Sequence, residues 1–502
     1  MNKSLPLFPI LVRLHIITPQ GLWQWTRSFI KEGITLMAML RFAAHFYSEK
    51  EAITSDERHF TYSELYSQAQ QLAFLLQTEE ALQPNMRVAL LCRNHALSVL
   101  LLPALSRLGV HVKLLNTDMN ADKIEEALQR GRTHLLIYDS DLGIQQLLES
   151  LPCRSLSSES LYERLSHPTP SPARKLPHIL KGPEISVLTG GTSGHYTEAG
   201  RRPAITQFLS PFFALLQQIG IHRYKNVLLA LPFYHGFGLA TLIVSLLMGK
   251  RIYLMRRFQA DEALRLIRQE AIEVVPIVPA MLYRMWQSPH DDDDLRSVRC
   301  FICGGDRLDK KWIHTLHERL GKVLYNLYGT SEAGFFLLAT PHDLDANEET
   351  TIGRPIRGVR CEIRNADTQG IGTLWVRSSW AMNGRKSRWQ STGDLAFRNN
   401  EGYYFHRGRA DGMVVCGGEN VYPSHVEHVL MGHPHIISAR VYPVPHPAFG
   451  QVLHAQVELQ NGLDDTPEIL KSWLNSRLSR AEMPHYITLQ AIELLSTGKP
   501  KR

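Results

Sequence analysis

Cysteine is sparse in this chain. Six thiols (Cys92, Cys153, Cys300, Cys303, Cys361 and Cys416) are scattered over 502 residues, which excludes the dense disulfide framework of a small secreted scaffold and fits a reducing compartment. A cytoplasmic protein is expected. Charge of one sign is not in large excess: 55 Lys and Arg against 48 Asp and Glu leave +7, a mild bias toward polyanionic small molecules or anionic surfaces that does not demand nucleic acid. No secretory leader is expected, because the apolar stretch 5–12 stops at Arg13 with no small-residue cleavage site after it. The stretch 227–249 is long and holds no Asp, Glu, Lys or Arg, but Pro232, His235, Gly236 and Gly238 cluster inside it. They divide it into a buried strand (227–230), a loop and a helix from Leu239, not a membrane span. Cys300-Phe-Ile-Cys303 has no second cysteine pair or histidine at a ligand spacing, so buried core thiols are the reading. Asp291 to Asp294 read as a solvated loop, and none of the 23 histidines forms a His-Glu-x-x-His pattern.

What is present is a large core. Hydrophobic residues make up 44% and charged residues 21%, which sets disordered, collagenous and coiled-coil chains aside. Between 60 and 141 short apolar runs (87–91, 110–115, 134–138) alternate with helical patterns such as 121–129, the mark of a parallel sheet covered by helices. A Pro- and Ser-rich loop at 167–183 leads to a strand at 185–188. A second βα series follows, with strands expected at 226–231, 251–255, 274–278, 298–303 and 323–328. After Thr350 short alternating strands (361–364, 372–376, 403–407) read as a small β-rich unit. From Asp411 a last module begins, with helices near 424–431 and 467–478 around strands at 437–444 and 453–459.

Several short motifs carry chemistry. Leu188-Thr-Gly-Gly-Thr-Ser-Gly194 closes a strand with three glycines and three hydroxyls, a composition that cradles phosphates or forms a plain solvent loop. No Gly-Lys-Ser/Thr follows, so it is not a Walker motif. Tyr328-Gly-Thr-Ser-Glu-Ala-Gly334 offers a stacking face, two hydroxyls and a carboxylate suited to Mg²⁺. Its rival reading is a degenerate nucleophile elbow with Ser331 as the nucleophile of a serine hydrolase. Ser391-Thr-Gly-Asp394 puts a carboxylate after a turn, suited to vicinal ribose hydroxyls. Gly408-Arg-Ala-Asp-Gly412, Cys416-Gly-Gly-Glu-Asn-Val-Tyr-Pro423 and Ser496-Thr-Gly-Lys499 are each, alone, only loops.

Together and in this order these motifs resemble the adenylate-forming superfamily of acyl-CoA synthetases, peptide-synthetase adenylation domains and luciferases. Leu231-Pro-Phe-Tyr-His-Gly-Phe-Gly238, Val278-Pro279, Gly304-Gly-Asp306 and Gly353-Arg-Pro355 extend the resemblance over essentially the whole chain. Cys92-Arg-Asn-His95 and Leu114-Leu-Asn-Thr117 are similar to bacterial fatty acyl-CoA synthetases. The resemblance implies an α/β fold: a large N-terminal AMP-binding region over 1–409, of βα layers plus a β-rich subdomain, and a small mobile C-terminal α+β domain over 410–502. It implies ATP-dependent activation of a carboxylic acid, a medium- or long-chain fatty acid, to acyl-AMP and transfer to coenzyme A. ATP, Mg²⁺ and coenzyme A are the cofactors so implied. Loading of an acyl carrier protein and a non-catalytic nucleotide or acyl binder are the alternatives, beside the hydrolase.

By the same resemblance, Thr189, Gly190, Gly191, Thr192, Ser193 and Gly194 wrap the β- and γ-phosphates; Gly304, Gly305 and Tyr328 hold adenine; Thr330 touches the α-phosphate. Glu332 ligates Mg²⁺, Asp394 and Arg409 fix the ribose, and Lys499 reaches between substrate carboxylate and nucleotide. His235 shapes the acyl entrance, Asp411 is the hinge and Gly418 lines the thiol tunnel. One departure stands out: the family's Pro-Lys after the glycine-rich stretch is absent, and Thr197 or Glu198 stands where the lysine is expected, with Arg201 and Arg202 as compensating cations. Finally, Leu22, Trp25, Phe29, Leu36, Leu40 and Ala43 recur at helical spacing with Arg27, Lys31 and Arg41 nearby. Core packing is the commoner fate of such a stripe, and peripheral contact with the inner membrane face is the other.

Overall fold

The computed structural model describes residues 6–55, 58–119, 121–167, 175–190, 196–201, 209–412, 414–416, 419–446, 450–460, 465–475, 477–478 and 482–493. It divides into two compact units, one formed by Met1–Pro276, Asp293–Cys300 and Trp380–Gly384, the other by Ile277–Asp292, Phe301–Ser379 and Arg385–Arg502.

The first unit holds two βα layers. In one sheet the spatial order is Arg154–Ser157, Leu135–Tyr138, Arg87–Leu91, His111–Leu114, Ile185–Gly190 and Tyr196–Arg201, parallel until the last strand, which turns back antiparallel. Val88, Leu91, Leu135, Leu136 and Ile137 are fully buried, as expected for strands covered on both faces, which read as continuous apolar runs. The other layer sets Val274–Ile277, Asn226–Leu229, Arg251–Leu254 and Glu51–Ser55 in parallel, closed by antiparallel Arg58–Thr61. The uncharged stretch resolves into strand Asn226–Leu229 and the twelve-residue helix Gly236–Leu247. No described helix is long and apolar enough to cross a membrane.

The stripe through Leu22 and Ala43 breaks at Gly33 into helices Pro19–Glu32 and Leu36–Tyr47. Its second half is core: Leu36, Leu40 and Ala43 are buried, and Trp25 stacks on Phe42 at 4.1 Å. Leu22, by contrast, is exposed.

In the second unit, Cys300–Gly304 and Leu324–Thr330 run parallel and Gly334–Ala339 returns antiparallel. An antiparallel meander follows: Arg360–Arg364, Gly372–Arg377, Gln390–Arg398 and Tyr404–Arg409. This is the expected β-rich unit with one strand added. Ser391-Thr-Gly-Asp394, read as a turn, lies inside the nine-residue strand Gln390–Arg398. Gly393 at φ +76 and a register shift against Thr373–Trp375 place a bulge there, and a bulge in a strand carries the composition of a turn.

The C-terminal part packs helix Pro423–Met431 and helix Pro467–Asn475 with the hairpin Ile436–His446/Gly450–Leu459 and a parallel third strand, Tyr486–Leu489. Val426, Leu430, Leu453, Ala455, Val457, Leu470 and Leu474 form its core. Cys300 and Cys303 are fully buried, burial pushes both thiols up, and all six cysteines are free.

Candidate active site

In the second unit, parallel strands Cys300–Gly304 and Leu324–Thr330 end side by side, with Gly304 in register with Leu327. Ligands of open α/β sheets bind beyond such carboxyl ends. Gly305 follows at φ +85, a conformation that favours glycine, and Tyr328 emerges from the neighbouring strand. The Tyr328 phenol donates a hydrogen bond to the Asp394 carboxylate, its ring edge-on to Phe336 at 5.3 Å. Arg409 Nη1 lies 3.3 Å from Asp394 Oδ1 and donates to the Thr392 carbonyl at 3.2 Å.

The bulge explains how Asp394 is presented. Thr392 Oγ1 donates to the Leu374 carbonyl at 2.9 Å and accepts from the Asp394 amide at 3.1 Å. Gly393 sits at φ +76, a conformation that favours glycine, and a Cβ there would sit 2.7 Å from the end of the Arg409 guanidinium, which would have to shift. Burial pushes the Asp394 carboxyl up, but His406, Tyr328 and Arg409 outweigh it and hold it below the usual carboxylate range. Tyr328 moves the other way, raised by burial and by Asp394. Three expected residues, Tyr328, Asp394 and Arg409, therefore form one cluster, with Gly304 and Gly305 at the adjoining strand end.

Thr330 ends the same strand, its Oγ1 accepting from the Ala333 amide at 3.0 Å. Ser331 and Glu332 occupy the hairpin tip that Gly334 closes at φ +77. This is strand–turn–strand, whereas a nucleophile elbow needs strand–turn–helix, so the hydrolase reading of Ser331 loses its local geometry. Glu332 is half-buried and offers the hard oxygen donors that Mg²⁺ takes.

In the first unit, Ile185–Gly190 and Tyr196–Arg201 form the hairpin that carries the glycine-rich stretch, with Thr189 opposite Thr197 and Leu188 opposite Glu198. Gly191 to Gly194 lie outside the described residues, as do Arg202, Gly418 and Lys499; for Thr189 and Gly190 only the backbone is described. Arg201 pairs with Ile185 at the base of the hairpin and donates to the Trp380 carbonyl at 3.3 Å.

His235 stands at the N-terminus of helix Gly236–Leu247. Asn94, given no role of its own in the Cys92-Arg-Asn-His95 motif, fixes its loop: the side-chain amide donates to the Leu231 carbonyl at 2.9 Å and accepts from the Phe233 amide at 3.2 Å. Thr117 Oγ1 meets the Tyr234 hydroxyl at 3.2 Å. The motifs holding Asn94 and Thr117 thus act as anchors for the loop before His235. Beneath Asn94, fully buried Asp139 accepts from the Arg93 amide, His95 Nε2 and Ser158. Burial raises its carboxyl, but these donors outweigh it and lower it to about 2. His95 Nδ1 also accepts from the Ser98 amide, so Cys92, His95 and Asp139 form a satisfied hydrogen-bonded group, not an open metal site. Sequence reasoning also passed over His406, 3.7 Å from Asp394. Arg307 was missed as well: burial, then Arg407, lowers its guanidinium to about 10, and it reaches the Ser424 carbonyl at 3.4 Å.

A 2-succinylbenzoate–CoA ligase of Staphylococcus aureus is 26% identical over 487 residues, covering 90% of this chain and 96% of the relative. The o-succinylbenzoate CoA synthetase of Bacillus subtilis, solved with its acyl-adenylate intermediate, covers 92% of this chain and 96% of its own at 22% identity and TM-score 0.78, a likeness of fold. The amide bond synthetase McbA of Marinactinospora thermotolerans is 26% identical, covers 93% and 98%, and superposes with TM-score 0.76. The AMP-binding enzyme family matches residues 40–196 and 203–384, its C-terminal domain matches 425–501, and the chain belongs to this adenylate-forming family. Its activity is ATP-dependent conversion of a carboxylic acid to acyl-AMP and transfer of the acyl group to coenzyme A, with ATP, Mg²⁺ and coenzyme A as cofactors.

Proposed function

We propose that the acid has an apolar body, an aryl-carboxylic acid first and a medium- or long-chain fatty acid second. The succinylbenzoate substrate of the S. aureus relative supports the first; the uncharged helix after His235, Gly236–Leu247, supports the second. The observation that carries the nucleotide half is the cluster of Tyr328, Asp394 and Arg409 beside Gly304.

In this reading, residues 1–409 bind acid and ATP, and 410–502 form the mobile domain turning at Asp411. Asp394 and Arg409 take the ribose, Tyr328 with Gly304 and Gly305 takes adenine, and residues 189–194 take the β- and γ-phosphates. His235 shapes the acyl entrance. Thr330 donates to the α-phosphate, and Glu332 would hold Mg²⁺, which supplies charge neutralisation at the phosphates. The Lys499 ammonium offsets the repulsion between two anions as a carboxylate oxygen bonds to the α-phosphorus and the bond to pyrophosphate breaks. In the second step the thiol sulfur bonds to the acyl carbon, AMP leaves with the electron pair of the broken C–O bond, and the thiol proton passes to solvent. Gly418 lines the path of that thiol. The free cysteines support a cytoplasmic setting.

The test is ATP–pyrophosphate exchange over acids of graded chain length and aryl acids, followed by transfer to coenzyme A or a carrier-protein phosphopantetheine. Exchange strongest with aryl acids is the result expected. Exchange strongest with saturated long chains replaces the first reading by the second, and transfer only to the carrier protein overturns the choice of acceptor.

A further inference from the structure

The helix Pro19–Glu32 half-buries Trp25 and Phe29, but its most buried stripe is not apolar. Its buried positions are Gly21, Gln24, Ser28 and Glu32, a small and polar stripe at helical spacing, whereas a surface helix ordinarily points its apolar stripe inward. The inward polar residues are built in. A Cβ on Gly21 would sit 1.6 Å from the His15 carbonyl oxygen. The Glu32 carboxylate, 1% exposed, accepts from Arg107 Nε at 2.8 Å, Tyr66 Oη at 2.6 Å and Gln70 Nε2 at 3.1 Å. Because that face is fixed by these contacts, Leu22, Trp23 and Ile30 are left outside, at 55%, 64% and 68% exposure.

The exposure is concentrated. Of the eleven exposed large apolar side chains named among the described residues, six fall within the first 34 (Phe8, Val12, Leu22, Trp23, Ile30 and Ile34). A seventh, Leu180, is 75% exposed and follows Ile179, whose carbonyl accepts from the Ile34 amide at 2.9 Å. Phe8 and Val12 are four residues apart on helix Leu7–Arg13, on one face of it.

Charge supplies the second observation. Residues 1–48 contain a single acid, Glu32, and it is the buried one. Arg13, Arg27 and Lys31 are exposed on the same segment, and exposed Lys175 and Lys181 flank Leu180. Around helix Pro19–Glu32, Arg27 and Lys31 sit to one side of the Leu22, Trp23 and Ile30 face. Apolar anchors, an indole and flanking cations, with no exposed acid in residues 1–48, match the boundary of an anionic bilayer, where indole rings settle at headgroup level and cations meet phosphates. The segment also precedes residue 40, where the family match begins, so the family's chemistry does not account for it.

We propose that the outward face of helix Pro19–Glu32, with Phe8, Val12 and Leu180, seats this enzyme peripherally on an anionic phospholipid surface. The proposal is independent of which acid is activated.

The experiment is co-sedimentation of the full chain with vesicles of phosphatidylcholine alone and of phosphatidylcholine with phosphatidylglycerol. Binding is expected to the mixed vesicles and to weaken with salt. Arg27→Gln and Lys31→Gln should each weaken it about fivefold. The triple variant Leu22→Gln, Trp23→Gln, Ile30→Gln should lose binding while its pyrophosphate exchange stays within about twofold, as for surface substitutions away from a site. Thermal unfolding of the triple variant at the wild-type temperature establishes that it is folded. Absence of wild-type sedimentation with mixed vesicles, or binding that the triple variant retains, overturns the proposal. A wild-type dimer in solution that the same variant converts to monomer overturns it in favour of a second copy of this chain as the occupant.

Discussion

The phenol of Tyr328 donates its hydrogen bond to the carboxylate of Asp394, 66 positions further along the chain. Two strands of different sheets meet at this contact, and Arg409 and His406 also flank the carboxylate. In the proposed role, Asp394 is oriented and held ionised before a ribose hydroxyl would arrive. Removing the charge should matter more than removing the orienting phenol. Hydrogen bonds to charged groups are worth about 1.5–3 kcal/mol, so Asp394→Asn should raise the KM for ATP by roughly 10- to 100-fold, and Tyr328→Phe should raise it less. Steady-state kinetics in ATP decide it; an unchanged KM in Asp394→Asn removes this carboxylate from the nucleotide site.

Glu332 is the hard oxygen donor at the hairpin tip beside Thr330. Glu332→Gln replaces a carboxylate by an amide, a poorer ligand for Mg²⁺. Titrations of activity with Mg²⁺ should show a weakened apparent affinity and a severe loss of turnover at any concentration of the ion. Wild-type turnover in this variant would place the metal elsewhere.

At the glycine-rich hairpin, Thr197 stands opposite Thr189 and is, with Glu198, one of the two positions at which the resemblance places a lysine. Thr197→Lys should lower the KM for ATP. Arg201→Ala should leave that KM within about twofold, as for substitutions away from a site, because Arg201 is engaged with the Trp380 carbonyl at the hairpin base. A large rise in KM for Arg201→Ala, with the protein folded, would contradict this placement.

Below the Asn94 anchor, Asp139 gives a pH-dependent signature. Its carboxyl lies at about 2 in the folded chain against an ordinary 3.8, so its pKa is depressed by folding. The stability it contributes, about 2 kcal/mol, is present above the ordinary value and lost as pH falls toward about 2. Chemical denaturation of wild type and Asp139→Asn should show a gap of that order at neutral pH that closes between about pH 4 and pH 2. A gap constant over that window would mean that the charge contributes nothing.

The βα layers were legible because strands buried on both faces read as unbroken apolar runs, as 87–91 and 135–138 do. Gln390–Arg398 was not, because the glycine that lets Arg409 approach gives its bulge the composition of a turn. Periodicity announced a helical stripe around Leu22 but could not say which side faces inward; that is decided by the Glu32 contacts with Arg107, Tyr66 and Gln70, up to 75 positions away. The cluster of Tyr328, Asp394 and Arg409, to which the nucleotide is proposed to bind, was readable only through motif order. No spacing rule joins Tyr328 to Asp394, and the supporting Asn94 and His406 carry no signal of their own beyond their place in a motif or beside one.

The two-step mechanism rests on separable half-reactions. In the proposed mechanism Lys499 would serve adenylation alone, and Gly418 would leave room for the thiol alone. The deciding measurement is pyrophosphate release and thioester formation, followed separately, in Lys499→Ala and Gly418→Leu. Lys499→Ala should release almost no pyrophosphate yet convert supplied acyl-adenylate to thioester, while Gly418→Leu should release pyrophosphate and accumulate acyl-adenylate. Equal loss of both half-reactions in both variants, with both folded, would contradict it.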